Sequence, residues 1–284
     1  MAIATVESTV ESTVESLPTP DSPPAILDAR NLCKSFGGVR AVDQANLSVS
    51  QGSITGLIGP NGAGKTTLFN LLSNFIQPDA GDVVFDGQSI RDLQPHQIAQ
   101  RGMVRTFQVA RVLSRLSVMD NMLLAVQQQI GEDFWQVWLQ HRRILKDERQ
   151  YRRRAQEILD SVGLLPMAKD YAGSLSGGQR KLLELARTLM ASPKLILLDE
   201  PAAGVNPTLI NQICAHIRTW NQEGISFLVI EHNMDVIMSL CDRVWVLAEG
   251  RNLATGTPAE IQTNSAVLEA YLGQSAPGAE GAIA

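Results

Sequence analysis

A chain of 284 residues, 44% of them apolar, is long enough to bury a large core and to hold one large domain or two smaller ones. A formal net charge of −5 argues against a broad nucleic-acid-binding face. Cys33, Cys214 and Cys241 are odd in number and widely spaced, with no CxxC pair, which speaks against a disulfide frame or a zinc site and for reduced thiols in a cytosolic protein.

In chain order, the first 24 residues repeat "TVES" three times and continue into "LPTPDSPP". This polar, acidic, proline-rich composition buries too little apolar surface to offset its ordering entropy, so a disordered extension is expected over 1–24. No basic residue precedes Arg30 and no apolar signal core precedes it either, while no apolar run approaches the ~20 residues that span a bilayer. The expectation is a soluble chain that serves any membrane from outside the lipid. "AILDARNLCKSF" and "NLSVSQGSITGLIG" read as strands, the latter a pair joined at Gln51-Gly52. "GDVVFDGQSI" reads as a hairpin on Asp86-Gly87, and "RVWVLAEGRNLATG" as another on Glu249-Gly250. Residues 115–172 contain no convincing strand and read mostly as helix. "RKLLELARTLMA" carries apolar residues at 182, 183, 186, 189 and 190, one helical face. The segment 274–284 reads as a flexible tail.

Three short runs, "SITGLI", "LILL" and "SFLVI", are apolar on both faces, as strands of a helix-covered parallel sheet are. Each is followed at once by chemically capable residues: Gly59 to Thr67, Asp199-Glu200, and Glu231-His232. Carboxyl ends of parallel strands share one edge, so the three segments are expected to converge on one site. Gly59, Pro60, Asn61, Gly62, Ala63, Gly64, Lys65 and Thr66 fit G-x-x-x-x-G-K-[ST], with Thr67 following. In such a loop backbone N–H groups curl around phosphates, the lysine adds a point charge and the hydroxyl of Thr66 reaches magnesium. Asp199 suits a magnesium-coordinating carboxylate acting through water, and Glu200 a base that polarises water attacking the γ-phosphate. His232 reads either as a γ-phosphate contact that holds that water or as a structural strand-end histidine. Gln108, in "RTFQ", offers an uncharged amide to magnesium and water, and Phe36 is either an adenine platform or a core side chain. A second phosphate cradle is offered by "LSGGQ": Ser176, Gly177, Gly178 and Gln179 open a helix whose free N–H groups form an anion site.

The order "GPNGAGKTT", Gln108, "LSGGQ", "LILLDEP", His232 resembles the ATPase subunits of ABC transporters over residues 25–273. The fold implied is α/β: a P-loop NTPase (RecA-like) core with an antiparallel β subdomain and an α-helical subdomain at about 110–172. The resemblance also implies ATP and Mg2+ as cofactors. Two cassettes would close head-to-tail, so that Ser176 and Gly178 of one face the γ-phosphate held by Lys65 of the other. A finer resemblance, carried by "SFGGVRAV", "RTFQ", "LLELARTLMASPKLILLDEPAAGVNP" and "VLEAYLG", is to the ATPases of branched-chain and neutral amino-acid importers. It implies pairing with a second, different ATPase chain (a homodimer is the alternative), two membrane permeases, a periplasmic solute-binding protein, no nucleic acid, and a peripheral place on the cytoplasmic face of the inner membrane. Related readings are the ATPase of a urea or amide importer, that of lipopolysaccharide export, and a soluble ABC ATPase outside transport. Asn206 stands where many cassettes carry Asp. The stretch 133–154, with Phe134, Trp135 and Trp138 beside an arginine cluster, reads as an amphipathic helix with a solvated face, or else as a contact with membrane subunits or anionic lipid.

Overall fold

A computed structural model describes residues 24–106, 112–126 and 141–272. The expected N-terminal extension (apart from Pro24), Gln108, Phe134, Trp135, Trp138 and the tail 274–284 lie outside the described residues.

Ala25–Phe36 (β1) and Val39–Ser50 (β2) each bury one set of side chains and pair antiparallel through several register shifts, with Ala29 opposite Leu47. On the other side of β1 lies Ala80–Phe85 (β4), which turns through Asp86-Gly87 into Gln88–Ser89 (β5). Both turn residues have positive φ, 49° and 77°, as a two-residue hairpin loop requires. The result is a four-stranded antiparallel sheet in the order β2-β1-β4-β5.

Ile54–Ile58 (β3) belongs to a different sheet. The Gln51-Gly52 turn, read from sequence as joining a strand pair, instead carries the chain from one sheet to the other. The switch is held by hydrogen bonds from Gly52 N to Ser226 Oγ (2.8 Å) and from Ile54 N to Asp242 Oδ2 (2.8 Å). With Met103–Arg105 (β6), Leu195–Asp199 (β7), Ser226–Ile230 (β8), Arg243–Ala248 (β9) and Arg251–Gly256 (β10), β3 forms a sheet ordered β10-β9-β3-β8-β7-β6. All its pairings are parallel except the β9–β10 hairpin. Every residue of β3, β7 and β8 is buried.

Alternation within those three strands divides them between two cores. Leu57, Leu195, Leu197, Leu228 and Ile230 face the antiparallel sheet and the helix Lys65–Leu72 (α1), whose Leu68, Phe69, Leu71 and Leu72 fill the space between. Ile54, Ile58, Ile196, Leu198, Phe227 and Val229 face the opposite layer. That layer holds Gly177–Leu189 (α5), Pro207–Gln222 (α6) and Met234–Leu240 (α7), with Pro258–Thr263 (α8) and Ser265–Leu272 (α9) closing the end. Pro95–Gln100 (α2) precedes β6. Val118–Leu123 (α3) and His141–Ser161 (α4) pack on one another and on α5, so this helical lobe is continuous with the second core. No helix among the described residues is long and apolar enough to cross a membrane.

Leu197 is fully buried at the centre of β7. Leu197→Ala leaves a cavity that flanking strands cannot close, and should lower the unfolding free energy by about 2–5 kcal/mol in urea denaturation.

Candidate functional site

The parallel register sets the site. Leu57 pairs with Ile230, and Ile230 pairs with Asp199, so the first residues past β3, β7 and β8 leave the sheet at one edge. These are Gly59, Glu200 and Glu231, as the run pattern led us to expect.

The loop from Gly59 to Gly64 wraps the N-terminus of α1. Gly59 (φ 153°) passes so close to β9 that a Cβ would lie 2.1 Å from the Leu247 carbonyl oxygen, and at Gly64 (φ 94°) a Cβ would lie 2.3 Å from the Ala41 carbonyl oxygen. The β9–β10 turn secures this packing: Gly250 N donates to the Ala63 carbonyl (3.0 Å) and Asp43 N to the Gly250 carbonyl (2.8 Å). Asp43 is buried and accepts from Arg40 and Arg251, which pull its carboxyl below the usual range. Lys65 is buried, and its Nζ donates to the Gly59 and Pro60 carbonyls at 2.7 and 2.8 Å. Burial lowers its pKa, and the nearby Glu200 carboxylate opposes that shift. Thr66 is exposed at the first turn of α1.

Asp199 closes β7 and is buried, which raises its pKa, while Arg105 lowers it and Glu200 adds to the rise. The Arg105 guanidinium lies 3.5 Å from Asp199 Oδ2 and donates to Asn70 Oδ1 (2.6 Å) and Ser73 Oγ (3.0 Å) on and beside α1. It lies over the rings of Phe69 and Phe75, 4.5 and 5.0 Å from the ring centres. The same arginine lines a cavity of about 180 Å3 with Phe75, Ile98, Met103 and Leu197. Next in the chain, Glu200 adopts a left-handed conformation (φ 49°), held by its N–H to Ile230 O (3.0 Å) and by Ala203 N to its own carbonyl (3.1 Å). Its Oε1 lies 2.9 Å from His232 Nε2. His232 is therefore paired with the carboxylate that follows β7.

Glu231 between them is 4% exposed. Its Oε1 accepts the Ala202 N–H (2.7 Å), and its Oε2 the N–H of His232 (3.1 Å) and Asn233 (3.5 Å). Desolvation raises its pKa, against the pull of those donors.

Phe36 is 49% exposed with Lys34 Nζ 5.7 Å from its ring centre, so it is not a core side chain. Ser176 caps α5: its Oγ accepts the Gln179 N–H (3.2 Å), and the Gln179 amide oxygen accepts the Ser176 N–H (2.9 Å). The Gln179 amide nitrogen lies 3.3 Å from Met167 Sδ. Gln179 is thus committed to the cap, while Ser176 and Gly177 are exposed and Gly178 is half-buried against Leu209. Asn206 caps α6, its Oδ1 accepting the Leu209 N–H (2.9 Å).

Sequence reasoning assigned no role to Arg105 or Glu231. The available signal was indirect: a carboxylate destined for burial at the end of an apolar strand needs a cation or several N–H donors.

A family model described as ABC transporter matches residues 42–203, and one described as Branched-chain amino acid ATP-binding cassette transporter matches residues 251–277. The chain is 40% identical over 248 residues to the probable branched-chain amino acid transport ATP-binding protein LivG of Archaeoglobus fulgidus, spanning 87% of this chain and 95% of that relative. It is 39% identical to the high-affinity branched-chain amino acid transport ATP-binding protein BraF of Pseudomonas aeruginosa, spanning 88% and 98%. Among solved structures, the ADP conformation of an ATP-binding cassette of an ABC transporter superposes with a TM-score of 0.75 at 35% identity, over 88% of this chain and 99% of the other. A nucleotide-free cassette gives 0.74 at 34% identity, over 87% and 98%.

Phe36→Ala should weaken adenine-nucleotide binding roughly tenfold, since stacking of a base on an aromatic ring is worth about 1–3 kcal/mol. Thermal stability should fall only slightly, because the residue is 49% exposed and outside both cores. Titration with a fluorescent adenine nucleotide beside a melting curve checks both.

Proposed function

Because the chain belongs to the ABC transporter family of ATP-binding cassettes, we propose that it hydrolyses ATP to energise the uptake of branched-chain and other neutral amino acids through a membrane permease. The observation that carries this reading is the convergence of the phosphate loop, Asp199, Glu200 and His232 on one sheet edge, together with the C-terminal match to the branched-chain subgroup.

The chemistry assigns each residue a task. The loop N–H groups and Lys65 receive the β- and γ-phosphates; Lys65, already held over the loop by two carbonyls, needs no large movement to do so. The Thr66 hydroxyl and the Asp199 carboxylate form an all-oxygen donor pair that fits Mg2+, and Gln108 is the further ligand expected there. Bound magnesium would neutralise charge on the β- and γ-phosphate oxygens. Glu200 takes the proton of the attacking water. His232 Nε2 serves one acceptor at a time, so a γ-phosphate oxygen that claims its proton releases Glu200 to act on water. Phe36 stacks on adenine.

The exposed start of α5 reaches the nucleotide of a second cassette, with Ser176 and the Gly177 and Gly178 N–H groups facing its γ-phosphate. ATP then favours the closed pair, and loss of the γ-phosphate lets it open. The second cassette is a related chain or another copy. Two permeases, fed by a periplasmic solute-binding protein, place the pair on the cytoplasmic face of the inner membrane and dock in the cleft between the core and the helical lobe.

Glu200→Gln should leave ATP affinity within about twofold in the assembled transporter while steady-state phosphate release falls at least a hundredfold, consistent with loss of a general base. Normal turnover in that variant would remove Glu200 from the role. Leucine uptake lost on deletion of the gene and restored by the wild-type chain, but not by Glu200→Gln, tests the transport assignment; unchanged uptake would point to another solute.

A further inference from the structure

The mechanism above uses Glu200 and His232 but leaves Glu231, the charged residue between β8 and His232, without a task. A buried carboxylate with no functional duty is costly, and this one is 4% exposed. Its acceptors divide between two segments. Oε1 takes the N–H of Ala202, in the loop that leaves Glu200 and leads to Asn206; Oε2 takes the N–H of His232 and of Asn233, which caps α7. No backbone ladder joins these segments beyond the Asp199–Ile230 pair and the Glu200 N–H to Ile230 O bond.

The contacts close a ring. From Glu200 the chain turns through Pro201 to Ala202; Ala202 is bound to Glu231; Glu231 leads by one peptide to His232; and His232 Nε2 returns to Glu200 Oε1 at 2.9 Å. Glu200 sits in the ring at φ 49°, a conformation that costs a non-glycine residue energy and persists only where its surroundings over-determine it.

We propose that Glu231 is a positioning residue for ATP hydrolysis: its carboxylate clamps the 201–206 loop to the His232 turn and so fixes the Glu200–His232 pair in reacting geometry. The inference rests on the ATPase reading and deepens it. It also makes the loop carrying Asn206 part of the catalytic assembly, since a shift of that loop is carried through Ala202 and Glu231 to His232.

Glu231→Gln is nearly isosteric but has one acceptor oxygen, and its NH2 opposes whichever N–H it faces, so one of the two links breaks. Glu231→Met, of similar length, breaks both. In the assembled transporter kcat should fall on the order of ten- to a hundredfold for Gln and further for Met, because small displacements of reacting groups cost that much. The KM for ATP should stay within about twofold. Amide hydrogen exchange at Ala202, measured on the full-length chain without nucleotide, should quicken in the Gln variant while core strands keep their protection. Wild-type kcat in Glu231→Gln, or unchanged exchange at Ala202, overturns the proposal; so does a fall in kcat matched by an equal rise in KM and loss of core protection, which marks general destabilisation. If the wild-type assembly itself fails to hydrolyse ATP, the ATPase reading falls instead, and the exchange result still decides whether the clamp exists.

Discussion

Parallel pairing of β3, β8 and β7 in one register is the constraint on which the site depends. Leu57, Ile230 and Asp199 stand side by side, and the first residues past their strands, Gly59, Glu231 and Glu200, leave the sheet at one edge. Because side chains alternate across a strand, a slip of one residue in any of the three would exchange the two cores and withdraw a functional group from the edge. Register is costly to change here: both faces of each strand are buried, one against α1 and the antiparallel sheet, the other against α5, α6 and α7. Hydrophobic packing thus sets the placement of the polar groups, although none of those groups contributes much apolar area itself.

Electrostatics at that edge is a balance of buried charges held near one another. Asp199 faces the Arg105 guanidinium, which lies over the rings of two phenylalanines and is bonded to Asn70 and Ser73. Lys181 of α5 lies 3.7 Å from Glu184 and close enough to Asp199 to lower its pKa. Such pairs add little net stability, since desolvation offsets their attraction, but removing one partner leaves the other stranded. Arg105 also lines the cavity shared by Phe75, Ile98, Met103 and Leu197, so Asp199 is tied through it to the wall of that cavity.

The legible part of the molecule was the part written in short, strongly patterned stretches. "SITGLI", "LILL" and "SFLVI" announced buried strands, "GPNGAGKTT" a phosphate loop, and "LSGGQ" the start of a helix, and each stands where its pattern placed it. Less legible were features that depend on distant partners. The three-residue strand β6 has no periodicity to read and exists because Met103 to Arg105 find β7. Gln51-Gly52 looks like any tight turn; distant partners, among them the Ser226 hydroxyl, the Asp242 carboxylate and the Asn221 amide, make it a crossing between sheets. Glu231 and Arg105 are single charged residues whose significance comes from what tertiary packing sets against them. Serine followed three residues later by glutamine also specifies a helix cap, which the Gln179 side chain makes, and the sequence does not separate that role from the expected nucleotide contact.

For the proposed pairing, that cap bears on how quickly this chain can engage a second cassette. A helix whose first turn is wound by its own serine and glutamine presents a finished surface, so an arriving neighbour meets a rigid template with little disorder left to lose. On the proposed pairing, encounter would then be governed by diffusion and orientation, with no slow ordering step at this contact, and the lifetime of the pair would be left to the nucleotide held within it.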